Sequence, residues 1–488
     1  MNQEKHTKSL VLSGLFWKIM ERGGSQGIQF IITISLARLL LPEDYGLIAL
    51  VVIFISIAGV FVQSGLNTAL IQKRDTDEID FSSVFYISLV IAGALYLVIF
   101  FTAPFIASFY HEPQLTPVYR VLSITLFFGA LNSVQNAVIA KKMQFKKLFS
   151  SSTGAILVSG TVGIYMAYTG FGIWALVGMQ ISSQLMVSLI LWFSVKWRPR
   201  LLFSLERVKS LFSFGWKLLV SSLIDTIYMD LRGLIIGKMF KPEMLGFYNR
   251  GQQFPSLFVT NITGSIGSVM LPVLSSQQDN IPRVKDMVRR AIVTSSFMIF
   301  PMMVGLAVTA EPLVKILLTD KWLSCVPFLQ IFCAVYALWP IHTANLQAIN
   351  AMGRSDIFLK LEIIKKVIGL VILGVTVFYG VYAIAVGQIL SGIISTFINA
   401  YPNQKLLNYS YIEQCKDIMP SLVLSLVMGV VVYNIQCLGM SVWATLISQV
   451  LVGIVLYVGL AWMFKLECFN YLLCTLTDIV SRRRGNTV

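Results

Sequence analysis

Two apolar stretches of this 488-residue chain carry ionisable and amide side chains at helical spacing. In the first, Lys18, Glu21, Arg22, Ser25, Gln26, Gln29 and Thr33 project within an arc of roughly 140°. In the second, Lys217, Ser221, Asp225, Tyr228 and Arg232 project within roughly 80°, with Asp230 on a different side. Lys and Arg suit phosphate, whereas amides and aromatic rings suit sugar hydroxyls and ring faces. An ionisable group facing hydrocarbon costs a few kcal/mol, so such stripes belong against water or a polar ligand. Buried ion pairs between helices are the alternative, but the stripes continue as uncharged hydrogen-bonding groups for longer than one packing pair requires. The expected substrate-binding cations are Lys18, Arg22, Lys217 and Arg232. Glu21, Ser25, Gln26, Gln29, Asp225 and Tyr228 are expected as polar lining or ion-coupling groups. Further amides, at Gln63/Asn67, Asn132/Gln135/Asn136, Gln252/Gln253/Asn261 and His342/Asn345/Gln347/Asn350, either extend that lining or bond helix to helix.

The elements that carry these stripes follow from composition. Of the residues, 56% are hydrophobic and 12% charged, half the charge of an ordinary soluble chain, which is about 25%. With a mean hydropathy of +0.76, the chain is polytopic and membrane-embedded. Apolar runs long enough to cross a hydrocarbon layer of about 30 Å fall near 12–39, 45–66, 83–107, 117–140, 149–169, 172–195, 212–239, 251–274, 289–310, 325–349, 362–380, 382–401, 418–437 and 442–464. With both termini on the cytoplasmic side, about 27 of the 38 Lys and Arg fall on that side, as the positive-inside rule requires. The net charge of +15 is therefore a topology signal facing anionic lipid, and no nucleic-acid partner is expected. The first apolar segment is too long and too polar for a cleavable signal and is expected to remain as an anchor.

Matched motifs recur about 200 residues apart. Phe16-Trp17-Lys18 returns as Gly215-Trp216-Lys217, and Leu41-Pro42-Glu43-Asp44-Tyr45-Gly46 returns as Lys241-Pro242-Glu243-Met244-Leu245-Gly246. Six spans per repeat preserve orientation, so the fold expected is all-α, with about fourteen transmembrane helices. Two six-helix lobes in parallel repeat would surround a central cavity, followed by two C-terminal helices. The expected divisions are residues 1–210 (helices 1–6), 211–403 (helices 7–12) and 404–488 (helices 13–14 and a basic tail). Gly23-Gly24 and Gly27 in span 1, and Pro301 and Pro340 in spans 9 and 10, mark points of bending or close contact.

Several chemistries are unsupported. The chain has no G-x-x-x-x-G-K-[ST] phosphate loop, no row of arginines for voltage sensing, and no filter sequence. Six cysteines without a C-x-x-C pair and three scattered histidines give no expected metal site. The acidic run Asp75, Asp77, Glu78 and Asp80 reads as a solvated loop. Transport by alternating access, without enzymatic activity or a bound cofactor, is the expectation that stands.

The run Gly14-Leu15-Phe16-Trp17, with Ala37-Arg38-Leu39-Leu40-Leu41-Pro42-Glu43-Asp44-Tyr45-Gly46-Leu47, Gly65-Leu66-Asn67-Thr68-Ala69-Leu70-Ile71-Gln72 and Leu245-Gly246-Phe247-Tyr248-Asn249-Arg250, resembles the multidrug/oligosaccharidyl-lipid/polysaccharide (MOP) exporter superfamily. Within it the chain is similar to bacterial polysaccharide flippases of the colanic-acid and O-antigen type, acting in lipopolysaccharide biosynthesis. The resemblance implies a bacterial inner-membrane protein that moves an undecaprenyl-pyrophosphate-linked oligosaccharide to the periplasmic leaflet. It implies pyrophosphate binding by Lys18, Arg22, Lys217 and Arg232, and a prenyl-chain groove at helices 13 and 14. Coupling to an H+ or Na+ gradient or to membrane potential is also implied, with Glu21 and Asp225 as coupling carboxylates. Glycosyltransferases and a polysaccharide polymerase are the implied partners. Two other readings are a cation-coupled drug exporter of the same superfamily, which calls for an anionic site, and a membrane polysaccharide polymerase.

Overall fold

Inside a bilayer each backbone N–H and C=O must be satisfied within the protein, so long uncharged runs fold as helices. The computed structural model describes residues 24–63, 65–73, 75–471 and 473–474, and every regular element there is a helix. Lys18, Glu21 and Arg22 lie outside the described residues. The first helices are α1 (24–39), α2 (Pro42–Gln63), α3 (Leu66–Gln72), α4 (Glu78–Tyr110), α5 (Leu115–Leu122), α6 (Thr125–Lys141), α7 (Phe145–Tyr168), α8 (Ile173–Ser194) and α9 (Leu205–Met239). They are followed by α10 (Pro242–Ser275), α11 (Ile281–Val308), α12 (Ala310–Leu318), α13 (Val326–Ala337), α14 (Trp339–Ala351), α15 (Ser355–Thr376), α16 (Val381–Leu407), α17 (Tyr411–Asn434) and α18 (Val442–Met463).

Among the described residues eleven helices are long and apolar enough to cross a membrane, with α2–α3, α5–α6 and α13–α14 each serving as one crossing. Together with α1 and the more charged α9 and α15, this is compatible with the fourteen crossings expected. Ile447, Ile454, Val455 and Trp462 of α18 are all exposed, a surface that suits lipid and would be a large apolar patch in water.

The interruptions have local causes. Gly65 adopts a φ of +82° between α2 and α3, a region open to glycine. The helix of span 10 breaks just before Pro340, which sits in the first turn of α14, where its missing N–H costs nothing. Asp75, Asp77 and Glu78 are exposed, as expected of a solvated acidic run, but Asp80 is not. The Asp77 side chain accepts the Asp80 N–H at 2.9 Å, and the Asp80 side chain accepts the Asp77 N–H at 3.2 Å, capping α4. Asp80 is fully buried, with Lys73 Nζ at 2.7 Å and Arg207 Nη1 at 3.7 Å.

Spatially the chain divides into two compact units at Gly246. The expected division fell earlier, at residue 210; α9 packs against α2, α3 and α4 and so belongs with the first unit. Leu70, Val84, Val134, Ile139 and Leu191 are fully buried in the first unit's core. In the second unit, Val284, Val288, Ile292, Ala344 and Tyr409 form one cluster, and Phe297, Met428, Val432 and Tyr457 another.

Within the first unit α2 and α9 run antiparallel. A side chain at Gly237 would overlap Leu50, one at Gly233 would overlap Ile53, and Gly65 meets Gly215 backbone to backbone. Gly233 and Gly237 are a small-x-x-x-small pair of the kind that lets membrane helices approach closely. At the end of the seam the two repeated Pro-Glu-x-x-Gly motifs meet. Gly46 faces the carbonyl of Pro242, and Gly246 faces the carbonyl of Pro42.

Candidate functional site

Helix α9 presents three chemically different sides. Measured around its axis from Lys217, the contact with α2 and α3 occupies roughly 160–220°, where Gly215, Asp230, Gly233 and Gly237 lie. Trp216, Val220, Ile224 and Ile227 follow at roughly 260–340° and are exposed. The polar stripe falls on the remaining side. There Lys217, Ser221 and Asp225 are exposed, and Tyr228 and Arg232 are half-buried. Arg232 stacks on the Tyr228 ring, 5.4 Å from its centroid, a contact that holds the guanidinium in place while leaving its donors for a ligand.

The partner stripe on α1 divides. Ser25 is buried and lies 3.4 Å from the Thr153 hydroxyl of α7, so it joins helices. Gln26 is half-buried. Gln29 turns into a cavity of about 620 Å³ inside the first unit, within the volume range of small-molecule sites. Its polar wall is made by Gln29, by Ser56 and Gln63 of α2, by Thr125 of α6, by Ser159 of α7, and by Gln180, Ser183 and Gln184 of α8. None of the described lining residues is ionisable. Gly129 of α6 leaves room for the Gln63 amide, which a side chain at that position would strike. Such a wall offers many neutral donors and acceptors and no counter-charge, which fits a polyhydroxylated, uncharged ligand.

Of the expected site residues, the described structure places Gln29 in this cavity, and it places Lys217, Asp225, Tyr228 and Arg232 together on the open side of α9. Sequence reading passed over Gln180, Ser183 and Gln184, although their i, i+3, i+4 spacing marks one face of a helix. It passed over Ser56 as well. Ser56 Oγ lies 2.8 Å from Asp230 Oδ2, joining the cavity wall to the α2/α9 seam.

Other amides prove to be packing groups. Ser133 donates to Asn67 at 3.0 Å, and Gln252 donates to the Tyr336 hydroxyl at 3.2 Å. In the second unit Asn345 Nδ2 donates to Gln414 Oε1 at 2.8 Å, and Asn403 Nδ2 donates to Asn345 Oδ1 at 2.7 Å, with all three residues buried. His342 is held between Thr396 at 3.3 Å and Asn399 at 3.2 Å. The second unit also contains an apolar groove of about 450 Å³ between α11, α17 and α18. Met302, Leu306, Met428, Val432, Val450 and Ile454 line it.

Known proteins are similar to this chain in sequence and in fold. The family described as "Polysaccharide biosynthesis protein" matches residues 35–327. The lipopolysaccharide biosynthesis protein WzxC of Escherichia coli (strain K12) is 22% identical over 432 residues, covering 86% of this chain and 88% of that protein. The succinoglycan biosynthesis transport protein ExoT of Rhizobium meliloti (strain 1021) is 24% identical over 318 residues, covering 64% of this chain and 63% of that one. The structure of the lipid II flippase MurJ in its inward closed conformation superposes with a TM-score of 0.74 at 18% identity, over 93% of this chain and 98% of that one. With the family match covering more than half of its length and the fold shared with MurJ, the chain belongs to the polysaccharide biosynthesis protein family.

Proposed function

We propose that this protein is a flippase, a transporter and not an enzyme, that moves an undecaprenyl-pyrophosphate-linked oligosaccharide from the cytoplasmic to the periplasmic leaflet of a bacterial inner membrane. The observation that carries the reading is the uncharged, amide-rich cavity of the first unit, a site inside a membrane protein suited to sugar hydroxyls. Lys217 and Arg232, with Lys18 and Arg22, would hold the pyrophosphate. The apolar groove bounded by α11, α17 and α18 would take the prenyl chain. A site for cationic drugs would call for acidic groups, and the described cavity lining has none.

In this reading both termini are cytoplasmic, and glycosyltransferases and a polysaccharide polymerase act before and after this step. Coupling draws on an H+ or Na+ gradient or on membrane potential, with Glu21 and Asp225 as candidate carboxylates. The test is reconstitution in vesicles carrying the lipid-linked oligosaccharide in one leaflet. Protein-dependent appearance of the glycan in the other leaflet is expected; equal scrambling of plain phospholipid, or no movement, would remove the proposal.

A further inference from the structure

Asp230 differs from every other acid of the described membrane-crossing helices in where it sits. It lies on the α2-facing side of α9, half-buried, with its Oδ2 2.8 Å from Ser56 Oγ. The same Ser56 oxygen is also 2.8 Å from the carbonyl oxygen of Ile53. Both separations are full hydrogen bonds, yet a hydroxyl has one proton to give. With Asp230 as a carboxylate, the single Ser56 proton is divided between two acceptors and neither contact is a full hydrogen bond. With Asp230 as a carboxylic acid both close: Asp230 Oδ2–H donates to Ser56 Oγ, and Ser56 O–H donates to Ile53 O.

The surroundings agree with the neutral form. α2 beyond Gly46 and all of α3 contribute no ionisable side chain, and α4 beyond Phe81 contributes only Tyr86, Tyr96 and Tyr110. On α9 itself the nearest charged neighbours, Asp225 and Arg232, belong to the open stripe. Among the described residues no Lys or Arg lies within ion-pair distance of Asp230. An uncompensated carboxylate inside a membrane-crossing helix costs a few kcal/mol, and binding a proton removes that cost.

We propose that Asp230 is a proton-binding site of this protein, occupied while α2 and α9 are packed together, and that Ser56 links it to the cavity. When the seam parts, Asp230 loses Ser56 as acceptor, meets water, gives its proton to a water molecule and becomes a carboxylate. Closing the seam again requires that a proton be taken up. Because Ser56 also lines the cavity, a ligand hydroxyl that captures its hydrogen bond competes with Asp230 and favours proton release. The link to cargo rests on the flippase reading; the bound proton does not.

The test separates the two. Infrared spectra of the purified full-length protein at neutral pH, in water and in heavy water, are compared for the wild type, Asp230→Asn and Asp225→Asn. A carbonyl stretch of a protonated carboxylic acid that is lost only in Asp230→Asn is expected, and Ser56→Ala should shift it by removing its acceptor. If Asp230→Asn instead removes a carboxylate band, the proposal fails. Should Asp230→Asn fold poorly, the wild-type acid band and its shift in Ser56→Ala still decide the matter, and absence of the band refutes the site. In vesicles, the response of oligosaccharide translocation to a pH gradient should fall by about tenfold or more in Asp230→Asn; an unchanged response would overturn the coupling. A wild type that shows the acid band but moves no oligosaccharide would refute the flippase reading and leave the proton site standing.

Discussion

Gly46 and Gly246 occupy equivalent positions of two motifs 200 residues apart, and each packs against the carbonyl of the proline that begins the other's helix. The contact is reciprocal because both glycines hold the same place in the repeated Pro-Glu-x-x-Gly motif. A methyl group at either position would overlap backbone rather than a movable side chain. Gly46→Ala or Gly246→Ala should therefore cost about 1–3 kcal/mol, read as a lowered unfolding temperature in detergent. The double variant should cost less than the sum, since both methyl groups enter one crossing.

Gly59 gives the converse case. It lines the first unit's cavity, and a Cβ there meets nothing within 4 Å. Gly59→Leu should leave stability within about 0.5 kcal/mol of the wild type or improve it, since Leu is the better helix former. It should also block glycan translocation by filling the cavity. Normal transport by a stably folded Gly59→Leu would show that cargo does not enter this space.

On the open side of α9, Lys217 and Arg232 make no described ion pair that a substitution would strand. Lys217→Ala and Arg232→Ala should leave membrane abundance unchanged. Each should lower translocation by about ten- to a hundredfold, the loss of one charge-assisted hydrogen bond of about 1.5–3 kcal/mol. Arg232→Lys should recover only part of it, because the stack on Tyr228 is a guanidinium contact. Full activity in these and in Lys18→Ala and Arg22→Ala would exclude pyrophosphate binding by these cations.

The amide network of the second unit should behave as packing. Asn345→Ala strands Gln414 and Asn403 in a buried setting and should destabilise the protein by about 1–3 kcal/mol. A double-mutant cycle with Gln414→Ala should return a coupling of about 0.6 kcal/mol, the usual value between membrane helices. Calorimetric or denaturant unfolding in detergent reads both, and zero coupling would mean that the two amides do not meet.

Acid stability should report the cap of α4. The Asp80 N–H and the Arg207 guanidinium beside Asp77 hold its carboxyl below the ordinary value of 3.8. A folded value below the unfolded one stabilises fully above the unfolded value and is lost as pH falls through the folded one. Wild type and Asp77→Ala should thus differ in unfolding temperature at neutral pH, and the difference should shrink progressively as pH falls below about 4. A difference that persists unchanged in acid would mean that the Asp77 carboxylate is not the stabilising form.

Hydrophobicity and charge alone determined the all-helical membrane class and the approximate crossings, because bilayer thickness and backbone satisfaction leave a chain of this composition few other solutions, and the recurrence of Pro-Glu-x-x-Gly is legible as a repeat. The polar stripe of α9 was legible too, since its helical period survives whatever the helix packs against. Which amides meet a cavity and which meet each other was not. Gln63 and Asn345 look alike in sequence, yet one faces open space and the other closes a three-residue network, and only the neighbouring helices distinguish them. Asp230 stands outside the α9 stripe, on another side of the helix. Its partner Ser56 is 174 residues away, and a contact of that separation leaves no periodic trace in either helix. The tertiary structure alone decided it, by bringing a face of small residues on α9 close enough to α2 for one hydroxyl to serve both a carboxyl group and a cavity.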